Sequence, residues 1–201
     1  LSHALLLAGC LVGGIPYVML QILLAVEALL ISAASMFLYS ERGLWRHLFD
    51  LLKLSVALAF VMIFLLASYA VVTAGEGAEP LVALRSMFDT RSALTWGVAY
   101  LAMQVTASYL LARRSTDPRL FWARENLVIG GATFVAMFLM VFLTFFLAVP
   151  LVAILASAGC GISPDALLSL LMVALRFLLV LVANTISSEE MVAMARNPYV
   201  D

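Results

Sequence analysis

The chain has 201 residues, 65% of them hydrophobic and 11% charged, with a mean hydropathy of +1.13 and a formal net charge of −1. A soluble domain is about 45–50% apolar and about 25% charged, so a globular core does not account for this excess. The charge balance offers no electrostatic case for nucleic acid, and the two cysteines, Cys10 and Cys160, stand in no metal-ligand spacing.

The apolar residues fall in blocks of about 20, the length that crosses the hydrocarbon layer as a helix. The short alternating strands of an outer-membrane barrel are not the pattern here. The expected fold is therefore all-α, a single-domain polytopic transmembrane bundle of five or six spans, one of them short or re-entrant. No internal repeat or low-complexity linker divides it.

In chain order, the first block runs from Ala4 to Tyr39 and is interrupted by Gly13-Gly14-Ile15-Pro16. Glycine followed by proline ends one helix and opens the next, with Pro16 suited to a first turn. A short segment over about 1–12 and a full span over 16–39 are expected, with one long tilted helix as the alternative. The chain opens on Leu1 rather than methionine, so the first segment reads as trimmed or incomplete. No basic region precedes it as in a signal peptide.

Trp45 and Phe49 interleave with Glu41, Arg42, Arg46, His47 and Lys53, an interfacial turn that leads into a span over 51–72. Residues 73–92 carry Glu76, Glu79, Pro80, Arg85, Asp89 and Arg91, with room for a short surface helix over 80–88. A fourth span over 93–112 is entered through Trp96 and Tyr100. The most charged connection, 113–125, precedes a span over 127–149 that Pro150 kinks or ends. Ser163-Pro164-Asp165 supplies an N-cap, a first helical residue and an acidic first turn for the last span, 164–185. A tail of residues 186–201 follows, its short amphipathic helix starting at Ser187-Ser188-Glu189-Glu190.

Lys and Arg in short loops set orientation. The loop at 40–53 holds Arg42, Arg46 and Lys53, and that at 113–125 holds Arg113, Arg114, Arg119 and Arg124. The 73–92 loop has only Arg85 and Arg91, and 150–165 has none. Both basic loops fall on one side of the threading. Loops 40–50 and 113–125 and the C-terminus are expected to be cytoplasmic, with the chain in a bacterial plasma membrane.

Glu27 and Arg176 are the sharpest feature. Each lies about eleven or twelve residues into its span, on helices running the same way, so both are expected near the midplane. A charge there costs about 2.5–3.5 kcal/mol on insertion scales. Pairing lowers that cost, and the first reading is a buried ion pair that specifies assembly. The second is a substrate or ion pathway in which Glu27 titrates and Arg176 binds an anion. Gln104, central in the fourth span, shares a face with Gly97, Tyr100, Ala107 and Ser108. That face is a small, polar packing stripe, or else the wall of a cavity shared with Glu27 and Arg176.

The remaining candidates carry less. His3 and His47 are too far apart in the threading for a bis-histidine haem. Lys53, the single lysine, belongs at a membrane edge and not at a mid-membrane Schiff base. There is no nucleophile elbow, zinc-protease motif, intramembrane aspartate pair or nucleotide fingerprint. Gly130-Gly131 and Gly159-Cys160-Gly161 suit close packing and a loop bend. Cys10 and Cys160 both fall toward the outer face, where a disulfide is geometrically allowed. Phe134, Phe138, Phe142, Phe145 and Phe146 read as lipid-facing or interhelix packing, and only secondarily as a groove for a lipid, quinone or pigment.

No cofactor or metal is expected. The first functional expectation is a non-catalytic helical subunit or scaffold of a membrane complex. Its partners would be the lipid bilayer and other membrane subunits or a second copy. The alternative is a small proton- or anion-linked transporter or channel built on Glu27 and Arg176. An enzyme acting on a lipid or quinone through Arg46, His47 and Asp50 comes third.

Overall fold

The structure, a computed structural model, describes residues 2–11, 15–39, 44–74, 91–148, 150, 154 and 163–185. Its elements are all helical: α1 (Ser2–Leu11), α2 (Tyr17–Tyr39), α3 (Leu44–Ala74), α4 (Arg91–Arg114), α5 (Pro118–Glu125), α6 (Ala132–Leu143) and α7 (Pro164–Thr185). Two π-helical segments, Asn126–Gly131 and Thr144–Ala148, flank α6, so the backbone is helical without a break from Pro118 to Ala148. The surface helix expected at 80–88, the tail helix and Cys160 with its disulfide lie outside the described residues.

Four helices are long and apolar enough to cross a membrane, at Tyr17–Phe37, Trp45–Ala67, Leu120–Leu143 and Asp165–Thr185, as expected of a membrane protein. The count of five or six is therefore not reached on these grounds. With 24 residues, α4 has the length, about 36 Å at 1.5 Å per residue. Gln104, Thr106, Ser108 and its aromatic residues make it less apolar than the other four.

Helix starts follow side-chain chemistry. Ser163 caps α7 as its sequence suggests, its Oγ accepting the Ala166 N–H at 3.2 Å. Asp117 does the same for α5, accepting the Leu120 N–H at 3.1 Å, with Pro118 in the first helical position. The fifth apolar helix thus begins about nine residues before the expected 127, and the charged connection is largely helix. At the other end of the chain, α1 and α2 are separate helices, not one tilted rod. The Ile15 N–H donates to the Gly9 carbonyl at 3.2 Å, tying the start of α2 to α1. The ten described residues of α1 rise about 15 Å, half a hydrocarbon layer, and pack against α4 and α7.

Contacts along α2 give the direction of every long helix. At its start, the Tyr17 N–H donates to Asp165 Oδ1 at 3.0 Å, which aligns the beginnings of α2 and α7. Tyr69, near the end of α3, donates its hydroxyl to the same oxygen at 3.2 Å. Further along, Gly97 and Tyr100 of α4 lie against Leu23 and Glu27, and Ser32 donates to Asn126 Oδ1 at 2.6 Å. The ring of His47, at the start of α3, then stands 5.8 Å from Phe37. Helices α2, α4 and α7 run one way, while α3 and the Pro118–Ala148 rod run the other, in the alternation the threading anticipates.

Helix α2 is the axis of the bundle: 56% of its apolar window is buried against 17% for α3. Leu20, Leu23, Leu24, Leu65, Met137, Met140, Leu168 and Met172 form the core around it. Close approach of α4 needs Gly97, because an added Cβ would come within 3.2 Å of Leu23 Cδ1. The expectation for Gly130-Gly131 divides: a Cβ at Gly130 would crowd Asn126 Oδ1 at 3.1 Å, whereas Gly131 has open space. The rod turns Met137 and Met140 inward and leaves Phe138, Phe142 and Phe146 exposed, the arrangement of a lipid-facing aromatic stripe.

Candidate functional site

Because α2 and α7 start together, depth can be counted from their contact. Glu27 is ten residues past Tyr17 and Arg176 eleven past Asp165, about 15 Å and about 16 Å along parallel axes. Their side chains meet: Arg176 Nη2 donates to Glu27 Oε2 at 2.7 Å, with 1% and 0% of the two side chains exposed. Arg176 Nη1 donates to the Tyr100 hydroxyl at 3.2 Å, and that hydroxyl donates to the same Glu27 oxygen at 2.9 Å. Arg176 Nε donates to Thr133 Oγ1 at 3.0 Å. One guanidinium therefore ties α7 to α2, α4 and α6.

The chemistry of this node is that of a charged pair in which each guanidinium nitrogen donates to a protein oxygen. Charge-assisted bonds of this length are about twice as strong as neutral ones. The second carboxylate oxygen, Glu27 Oε1, is fully buried and has no hydrogen-bond partner among the described residues. Gln104 is buried one turn beyond Tyr100, but no hydrogen bond joins it to Glu27 or Arg176 among the described residues. Of the packing stripe expected on α4, Gly97, Tyr100, Gln104 and Ser108 face inward, and Ala107 is exposed.

The structure adds a carboxylate, Glu125, from the end of the charged 113–125 connection. Glu125 is half-buried at the end of α5, accepts the Ser108 hydroxyl at 2.9 Å and lies within electrostatic reach of Glu27 and Arg176. The Asp117-Pro118 helix start was the signal for it, since a helix begun there carries Glu125 about two turns inward.

Toward Asp165 lies a second polar group, this one neutral. The Tyr17 hydroxyl, both amide atoms of Gln21, Thr144 Oγ1 and Ser169 Oγ are buried without hydrogen-bond partners among the described residues. Tyr17, Gln21 and Thr144 approach one another without reaching hydrogen-bond geometry. A buried polar atom left unmet costs about 1–3 kcal/mol, and five of them amount to a large share of an ordinary stability of about 5–15 kcal/mol. Both π-helical segments coincide with interior polar side chains, the first at Asn126 and the second at Thr144. Such segments are frequent at functional sites.

No family model, curated protein or solved structure matches the chain. Function must then be argued from these residues.

The surface trio considered for an enzyme does not converge. Arg46 is exposed, His47 is buried with Nε2 unpartnered, and Asp50 pairs with Lys53 at 3.5 Å. Lys53 also lies 4.7 Å from the Phe49 ring centroid, in keeping with a membrane-edge cation. Cys10 is a free thiol, and no cluster of three metal-ligating residues forms among the described residues.

Proposed function

We propose that the protein is a non-catalytic helical scaffold or subunit embedded in a membrane, with the Glu27–Arg176 node as its internal clamp. The observation that carries this is the reach of Arg176, whose three donor atoms engage side chains of three other helices. Such a node specifies register and neighbour identity more than it adds stability, since both charges lose water to form it.

In this reading five helices cross the bilayer, α4 among them, because it packs against α1, α2 and α5 and runs opposite to α3 and the Pro118–Ala148 rod, its neighbours in the chain. The basic residues Arg46, Arg113, Arg114 and Arg124 collect at the end where α4 finishes and α3 and α5 start. That end is assigned to the cytoplasm, as short basic loops are. The wide outward surface of α3, with Phe60, Ile63 and Phe64 exposed, faces lipid or a partner subunit.

Purification in mild detergent followed by native mass spectrometry tests this reading. A scaffold is expected to carry partner chains or further copies and to lose stability when stripped of them. A solitary, monodisperse and equally stable protein would overturn it.

The second reading, a small proton- or anion-linked transporter, is favoured by the unpartnered Glu27 Oε1 and by the neutral group above it. It expects ion flux in proteoliposomes that Glu27→Gln abolishes while expression is kept.

A further inference from the structure

Tyr17, Gln21, Thr144 and Ser169 come from three separate elements, α2, the second π-helical segment and α7, and each is 0–1% exposed. Gln21 is one turn beyond Tyr17, and Ser169 one turn beyond Asp165. The Tyr17–Asp165 contact thus sets Gln21 and Ser169 at one depth on parallel, packed helices. The second π-helical segment packs against α7 and α3, and its Thr144 approaches the Tyr17 side chain. Asp165 and Tyr69 stand above the group, Cys10 lies within electrostatic reach of Asp165, and Arg176 with Tyr100 stands below.

The chemistry of the group selects its ligand. Three hydroxyls and a carboxamide offer donors and acceptors together and carry no formal charge. An anion calls for a cation, and no cationic side chain belongs to this group; each nitrogen of Arg176 already donates to an oxygen of the node. A metal cation calls for several carboxylates, and Asp165 stands beside this group without two further acidic or metal-ligating side chains among the described residues. Water meets both kinds of polar atom, and buried water characteristically makes about three bonds to otherwise unmet groups.

We infer that Tyr17, Gln21, Thr144 and Ser169 form a bound-water site on the Asp165 side of the Glu27–Arg176 node. Glu27 lies six residues beyond Gln21 on α2, an axial rise of about 9 Å that about three hydrogen-bonded steps of ~2.8 Å cover. The inference concerns hydration alone and stands whether the node is a clamp or a transport site.

Brief X-ray radiolysis of the intact chain in lipid nanodiscs tests it, because radicals made from bound water modify the side chains beside that water. Tyr17 is expected to be modified about tenfold faster than Met137 and Met140, which are equally buried in the apolar core. Methionine is the intrinsically reactive residue, so the comparison is weighted against the proposal. Equal or slower modification of Tyr17 would overturn it. The paired substitution Thr144→Val with Ser169→Ala keeps side-chain shape and is expected to lower Tyr17 modification about threefold or more. A folded double variant with an unchanged Tyr17 rate would overturn the assignment to these four residues. If that variant does not fold, the comparison within the native chain decides alone.

Discussion

Two polar groups share the interior of this bundle, about 9 Å apart along α2, and they are settled in opposite ways. Around Arg176 the charges are opposite and every guanidinium nitrogen has a protein partner. Around Gln21 the side chains are neutral and their polar atoms have none among the described residues. The difference follows from what each leaves behind if unmet. An unpaired guanidinium in a low-dielectric interior is prohibitive, so its partners are built into neighbouring helices. A neutral hydroxyl or amide costs only about 1–3 kcal/mol, and a small mobile ligand can meet it.

Substitutions in the two groups should separate them sharply. Arg176→Met alone leaves Glu27 buried and unpaired, and is expected to cost about 3–5 kcal/mol in detergent unfolding titrations. A loss below about 1 kcal/mol would mean that the pair does not lie in a dry interior. Adding Glu27→Gln to that variant should restore most of the stability, because two apolar or neutral groups replace a pair that had surrendered its hydration. Failure to recover would place the role of Glu27 outside the pair. Tyr100→Phe removes the hydroxyl bridging the two charges and should cost about 1.5–3 kcal/mol, the range for a bond to an ionised group. The smallest effect is expected at Ser169→Ala, under about 1 kcal/mol by the same titration, since no protein partner is orphaned. A loss as large as that of Tyr100→Phe would erase the contrast between the groups.

The charged group was legible in the sequence because a lone charge amid some twenty apolar residues is conspicuous, and counting from the helix start gives its depth. The Ser163 cap of α7 was legible for a related reason, its serine, proline and aspartate standing together. Glu125 was missed because it adjoins a basic connection, although Asp117-Pro118 marks the helix that carries it inward. His47 was placed among loop charges, yet α3 begins at Leu44 and turns it under the end of α2. The neutral group had no signal at all. Nothing in the composition of their segments marks Tyr17, Gln21, Thr144 and Ser169 as one group, and these four are up to 152 positions apart.

By itself, the sequence determined that the chain is a bundle of apolar helices, where most of them lie, and that Glu27 and Arg176 are at one depth. Those properties depend on local composition, period and rise. Only the tertiary structure decided that Tyr100 and Thr133 complete the pair, that Gln104 stays outside it, and that a second polar group stands above it. These depend on the rotation of each helix about its axis and on the π-helical segments that offset α6. Packing between distant segments sets both, and no local pattern encodes them.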